Sequence, residues 1–101
     1  MADYTSESQQ RILRTLTVLA GNEFNGLTPS EVAKAVRTSA SNATRDLANL
    51  REAGLAEVIQ ETGRWRLGPK LIQIAVAFST HLNRAQTRLD ELTNRYTRSP
   101  S

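Results

Sequence analysis

Cysteine is absent from the 101-residue sequence, and histidine occurs only at position 81. A chain without cysteine forms neither a disulfide nor a thiolate metal site, and one histidine outside any His/Cys cluster argues against zinc. No two carboxylates have a spacing that suits catalysis, and His81 falls on a helix flank, where a solvated or interface residue is expected. The sequence therefore predicts a protein that is not an enzyme and holds neither metal nor cofactor.

Long apolar runs are also missing. The longest, such as residues 74–78, are far shorter than the roughly 20 residues that cross a bilayer. The first ten residues are polar and acidic, unlike a signal peptide, so we expect a cytoplasmic protein without a membrane partner. The net charge is +3, with 13 basic residues against 10 acidic ones, a mild excess that suits nucleic acid.

Two helices are predicted in the first third of the chain. The first spans about residues 6–20, where a capping box precedes apolar residues at helical spacing. The second has three start signals after a loop: Thr28 can cap it, Pro29 suits its first position, and Glu31 completes a T-x-x-E box.

A third helix is predicted from Ser39, which can cap it, to Gly54, which ends it. Its apolar residues Ala43, Leu47 and Leu50 are spaced four and three apart and therefore mark its buried face.

A β-hairpin is predicted after the third helix, from the runs LAEVIQ and RWRL. We expect residues 61–63 to form a three-residue loop with glycine at the position of positive φ. This loop length pairs Ile59 with Trp65. Because successive strand residues face opposite sides, Trp65 then points inward while Arg64 and Arg66 form a basic outer face.

The predicted fold class is mainly α with a small β-hairpin, namely a winged helix-turn-helix followed by a long C-terminal helix. We expect residues 1–68 to form a DNA-binding domain of this type and residues 69–97 to form the C-terminal helix. Residues 98–101 are expected to be a disordered tail.

Three segments also carry a family likeness, LTPSEVAKAV, SNATRDLANLREAGLAEV and ETGRWRLGPKL. Together they resemble the DNA-binding domain of IclR-type bacterial transcription regulators over roughly residues 9–75. That family has an L-x-x-L-x-x-x-G-L stretch, matched from Leu47 to Leu55, and a wing of the form E-T-G-x-Y-x-L-G, matched from Glu61 to Gly68. The resemblance implies DNA binding and supports Ser41, Thr44 and Arg45 as contact residues.

Two departures from the family pattern are visible. Arg37 stands at the turn position that glycine usually fills. The large ligand-binding domain that follows in the family is absent, so we expect no small-molecule effector domain.

The third helix has a small, polar face opposite its apolar one, which suits close approach to a major groove. We expect Arg45 to contact guanine and Asn42 or Asn49 to pair with adenine. Phosphate contacts are expected from Ser39, Ser41 and Thr44. Such a face on an isolated helix is more often only a solvated surface, and the predicted wing together with the family likeness is what favours a DNA contact.

The wing is expected to lie along phosphates or to reach into a minor groove. The residues that would make these contacts are Gln60, Thr62, Arg64 and Arg66. The alternative is an exposed strand edge that these charges protect from pairing.

The C-terminal helix carries an unbroken apolar heptad stripe. Its members are Leu71, Ala75, Phe78, Leu82, Ala85, Leu89, Leu92 and Tyr96. The first half of the helix is more apolar all round and is expected to pack on the winged domain, while the second half is expected to pair with a second copy. The alternative is that the whole helix folds back on its own domain.

These patterns predict a homodimeric transcription regulator that binds double-stranded DNA. Its recognition helix, residues 39–53, would enter the major groove, and its wing, residues 57–67, would contact the backbone or the minor groove. The alternative is a winged-helix adaptor whose C-terminal helix docks another protein.

Overall fold

The computed structural model of the protein describes residues 3–97. Its elements, in chain order, are α1 Glu7–Leu19, α2 Pro29–Val36, α3 Ala40–Glu52, β1 Ala56–Ile59, β2 Arg64–Leu67 and α4 Pro69–Thr97. This confirms the predicted fold class: a winged helix-turn-helix with one antiparallel hairpin and a long C-terminal helix. The tail predicted at residues 98–101 lies outside the described residues.

Each of the first three helices begins at a predicted cap. The Ser6 hydroxyl accepts a hydrogen bond from the Gln9 amide at 3.4 Å, and the Ser39 hydroxyl accepts one from the Asn42 amide at 3.1 Å. At α2 the box is reciprocal: Thr28 accepts from the Glu31 amide, and the Glu31 carboxylate accepts from the Thr28 amide at 3.0 Å. These bonds satisfy amides that a helix start otherwise leaves unpaired.

The turn between α2 and α3 is formed by a residue in the left-handed region. Arg37 has φ 63° and ψ 54°, the conformation that favours glycine. Its amide still donates to the Ala33 and Lys34 carbonyls and so closes the end of α2. The family-like turn is therefore kept without glycine, at the cost of the strain that such a conformation gives a side chain.

The core lies between the three short helices and the hairpin. Its buried members are Leu19, Val32, Ala33, Val36, Ala43, Leu47, Leu50 and Ala56. Partly buried side chains, among them Trp65 and Leu67 of β2, close it from the hairpin side. The predicted inward face of α3 is confirmed, since Ala43, Leu47 and Leu50 are all buried.

The hairpin pairs one residue out of the predicted register. Val58, not Ile59, is opposite Trp65, and Ile59 is opposite Arg64. The reason is the loop, which is four residues long: the amides of Thr62 and Gly63 both donate to the Ile59 carbonyl. Gln60 therefore belongs to the loop, and Ile59 shares the outer face with the wing arginines.

Helix α4 leaves the domain at a tight backbone junction. The Gly68 amide donates to the Leu55 carbonyl at 2.8 Å, and the Lys70 amide donates to the Gly54 carbonyl at 3.2 Å. A Cβ on Gly68 would lie 2.4 Å from the Gly54 carbonyl oxygen, so only glycine fits this approach.

The expectation that the first half of α4 packs on the winged domain is wrong. None of the described α4 side chains is buried, and Ile74 and Val76 are more than half exposed. The junction at Gly68 directs α4 away from the other helices, so its main contacts with the winged domain are near its start, at the hairpin. The described chain is accordingly extended, 71 Å in its longest dimension.

Candidate nucleic-acid interface

The outward face of α3 brings three predicted contact residues together. Ser41, Thr44 and Arg45 are exposed and line one shallow depression with Ala40 and Ala48. None of the salt bridges among residues 3–97 involves Arg45, so its guanidinium is free to bind an external acceptor. The two alanines were not predicted as contact residues, although their spacing of four from Thr44 places all three in one row.

Three other predicted residues of α3 already make hydrogen bonds within the protein. Ser39 caps the helix, while the Asn42 amide nitrogen donates to the Thr38 hydroxyl at 3.0 Å. The Asn49 amide nitrogen donates to the Arg45 carbonyl at 2.8 Å. Each amide keeps its second N–H for an external partner.

A buried ion pair fixes the rotation of α3 about its axis. Asp46 is 4% exposed and accepts two hydrogen bonds from Arg11 of α1, from Nε at 2.6 Å and from Nη2 at 3.0 Å. This bidentate pair raises the pKa of Arg11, chiefly through the hydrogen bond itself. Arg45 precedes Asp46 by one residue, which is about 100° around the helix axis, and its side chain is exposed to solvent. This pair was not predicted, because its partners are 35 residues apart and no local pattern connects them.

The hairpin loop presents two further predicted residues. Gln60 and Thr62 are exposed, and the Thr62 hydroxyl accepts a hydrogen bond from the Arg64 amide at 3.2 Å. Both side chains therefore lie exposed at the tip of the wing.

Acidic residues balance the charge of the two arginines on the outer face of the wing, so this face is not basic overall. Arg66 Nε donates to Glu57 at 2.8 Å, directly across the hairpin. Arg64 pairs with Glu31 of α2 at 3.0 Å and also donates to the carbonyls of Asn25 and Gly26. The expected basic face thus carries two carboxylates that the sequence pattern did not assign to it.

Trp65 links the wing to α3. Its ring is partly buried against the core, and the guanidinium of Arg51 lies 5.8 Å from the ring centroid, on the last turn of α3. This is a cation–π distance. Trp65 therefore anchors β2 to the core, while its neighbours Arg64 and Arg66 face outward.

The heptad stripe of α4, here called the α4 seam, is exposed to solvent from Phe78 to Tyr96. Phe78, Leu82, Leu89, Leu92 and Tyr96 are 67%, 56%, 56%, 48% and 83% exposed. Near the start of α4 the stripe continues into an apolar groove that Leu67, Leu71, Ile72, Ala75 and Val76 line with Glu23 and Ser79. An apolar surface of this extent is typical of an interaction site.

Neither a metal cluster nor a membrane span is found between residues 3 and 97. In that part of the chain, no three His, Asp or Glu side chains are grouped so that they could hold an ion. No helix there is long and apolar enough to cross a membrane.

A family model described as a helix-turn-helix domain matches residues 4–59 of the sequence. No curated protein matches the sequence significantly.

Solved structures with a similar fold include transcription regulators. An IclR transcriptional regulator from Alicyclobacillus acidocaldarius has a TM-score of 0.65 and 23% identity over 72% of this chain and 29% of its own. Pseudomonas aeruginosa HmgR has a TM-score of 0.66 and 23% identity over 77% of this chain and 33% of its own. This chain thus spans about a third of the length of these two proteins, and the likeness confirms the expected fold.

Wild-type ZitR from Lactococcus lactis, solved in complex with DNA, is similar over more of this chain. Its TM-score is 0.51 and its identity 25%, over 95% of this chain and 66% of its own.

Proposed function

This chain belongs to the helix-turn-helix domain family, and on that premise we propose that it binds duplex DNA sequence-specifically as a homodimeric transcription regulator. The recognition helix, residues 39–53, enters the major groove, and the wing, residues 57–67, lies on the backbone or in a minor groove. The observation that carries the proposal is the outward face of α3, where an unpaired arginine stands among small side chains. The DNA complex of ZitR, a protein of similar fold, supports it.

Each part of the α3 face has a chemical role in this proposal. Ala40, Thr44 and Ala48 are small enough to let the helix approach base edges closely. The guanidinium of Arg45 matches the two acceptors of guanine, O6 and N7. Ser39, Ser41 and Thr44 donate to phosphates, and the amide of Asn42 or Asn49 pairs with adenine.

The wing supplies contacts outside the major groove. Gln60 and Thr62 at its tip donate to phosphates, and Arg66 reaches the backbone or a minor groove with the guanidinium nitrogens that Glu57 leaves free. Such contacts hold the register of α3 but carry little sequence information.

The α4 seam forms the dimer interface. Its eight residues follow a heptad pattern on a helix of 29 residues, which is about 43 Å long. A second copy pairing along this seam would cover leucines that are otherwise about half exposed. A two-fold dimer presents two recognition helices to two half-sites and doubles the phosphate contacts of one chain.

Replacing Arg45 with alanine is expected to lower sequence discrimination. Loss of one bidentate base contact costs about 1–3 kcal/mol, and the preference at one base pair of the site should relax. The measurement is selection of preferred duplexes from a random library with the wild-type protein, followed by competition binding of the variant to single-base changes.

Arg84→Ala is the matched control, because Arg84 is an exposed arginine on α4, away from the α4 seam. It removes the same charge and should leave the preference intact. If Arg45→Ala discriminates between duplexes as well as the wild type does, the α3 face does not contact bases. The adaptor function of the α4 seam would then be the better account.

A further inference from the structure

Arg64 lies half-buried against the loop before α2 and is held there by a fork of hydrogen bonds. Its Nε donates to the Asn25 carbonyl at 3.0 Å, and its Nη2 donates to the Gly26 carbonyl at 3.2 Å. The same Nη2 is 3.0 Å from the carboxylate of Glu31. One side chain of the wing thus joins the loop before α2 to the first turn of α2.

Glu31 contacts both the cap of α2 and the wing through one carboxylate oxygen. Its Oε1 accepts from the Thr28 amide, which closes the cap of α2, and the same oxygen pairs with Arg64. Hydrogen bonds from the Thr28 amide and hydroxyl, together with the nearby charge of Arg64, lower the pKa of Glu31. The carboxylate is therefore ionised at neutral pH and available to Arg64.

The backbone beside Arg64 is joined to the same loop. The Leu27 amide donates to the Trp65 carbonyl at 2.8 Å, and the Trp65 amide donates to the Leu27 carbonyl at 2.7 Å. Gly26 approaches so closely that a Cβ there would lie 2.7 Å from the Trp65 carbonyl oxygen. The wing is thus attached to the loop before α2 and to the start of α2 by a set of contacts that we call the wing anchor: residues 25–27, Glu31, Arg64 and Trp65.

We propose that Arg64 is a positioning residue that fixes the wing against the start of α2, and that it is not a phosphate ligand. This replaces the direct contact expected from the sequence, and it rests on the proposed DNA-binding function. Nε and Nη2 of Arg64 already meet a carboxylate and two carbonyls, so a phosphate at either nitrogen would have to compete with these groups, and only Nη1 remains outside them. Held in this way, the wing has a fixed position relative to α3. Gln60 and Thr62 can then contact the DNA backbone while the recognition helix occupies the major groove.

The test compares three variants by duplex binding at several salt concentrations. Glu31→Gln keeps an amide oxygen for the cap but removes the charge that Arg64 meets. Arg64→Gln removes the fork, and Arg64→Lys restores the charge without the fork geometry. We expect each of the three to weaken binding about 5- to 10-fold, within the coupling range of contacting residues. The slope of log K against log salt should stay at the wild-type value, because no phosphate contact is lost.

Amide hydrogen exchange of the DNA-free protein provides the second readout. The amides of Leu27 and Trp65 should exchange faster in Glu31→Gln and Arg64→Gln than in the wild type, because the wing anchor opens more often. Ala43 of α3 is the internal reference: its amide donates to the Ser39 carbonyl at 3.0 Å, away from both substituted residues, and its exchange should not change.

Two results would overturn the proposal. The first is a direct phosphate contact: Arg64→Lys binds like the wild type, Arg64→Gln lowers the salt slope by about one, and Glu31→Gln has no effect. The second is unchanged exchange at Leu27 and Trp65 in both variants. If the wild-type protein binds no duplex, the proposed function fails instead, and the exchange rates still decide whether Arg64 holds the wing.

Discussion

Introducing glutamate at Leu82 and Leu89 together should abolish the proposed dimer and leave a monomer. Both side chains lie in the α4 seam and are 56% exposed in one chain. Burying a leucine contributes about 1.5–3 kcal/mol, and a dimer buries four of them at these two positions. Glutamate removes that contribution and places like charges opposite one another. Sedimentation velocity over a range of protein concentrations measures the change directly.

The same double variant should bind DNA far more weakly. A linked second binding event raises affinity by about 10²- to 10⁴-fold, and a monomer loses that gain. Fluorescence anisotropy with a duplex that carries both half-sites measures the loss. The control is glutamate at Thr80 and Thr87, two exposed residues of α4 outside the seam. It adds the same charge and should leave both the dimer and its DNA affinity in place. A Leu82/Leu89 variant that still sediments as a dimer would show that the copies meet elsewhere.

Replacing Asp46 with leucine should destabilise the folded protein by about 3–5 kcal/mol, because Arg11 is left buried without its partner. The Arg11 and Asp46 side chains are only 16% and 5% exposed, so water replaces little of the lost interaction. This is a large share of the 5–15 kcal/mol by which a small domain is usually stable. Urea unfolding followed by far-ultraviolet circular dichroism gives the difference in free energy.

Two controls separate this ion pair from surface charges. Glu7→Ala removes the partner of Arg14 at 3.7 Å, an exposed pair, and should cost less than about 1 kcal/mol. Arg11→Met combined with Asp46→Leu removes both charges and should recover most of the stability, since a well-packed apolar pair replaces them. If Asp46→Leu costs no more than Glu7→Ala, the ion pair does not hold α3 in place.

The sequence predicted those parts of the fold that local chemistry determines. Caps at Thr28 and Ser39, the buried face of α3 and the bounds of α4 each depend on residues a few positions apart. Such signals need no knowledge of the rest of the chain. They were enough to identify the winged helix-turn-helix and the exposed face that contains Arg45.

Contacts between distant residues were not predictable in the same way. The observed register of the hairpin differs from the predicted one because the loop includes Gln60 and is therefore one residue longer than the glycine pattern suggested. The acidic partners of the wing arginines depend on packing that brings Glu31 beside Arg64. The path of α4 depends on the backbone contact at Gly68. The apolar residues in the first half of α4 therefore wrongly predicted that this half packs on the winged domain.

The central claim is that α3 and the wing form a surface for duplex DNA. It is tested most directly by titrating the wild-type protein against a fluorescent random-sequence duplex at several salt concentrations. The account predicts binding at low salt and a linear fall of log K with log salt, with a slope of about 0.9 for each phosphate contacted. A protein that binds no duplex even at low salt would contradict the account and leave the α4 seam as its interaction surface.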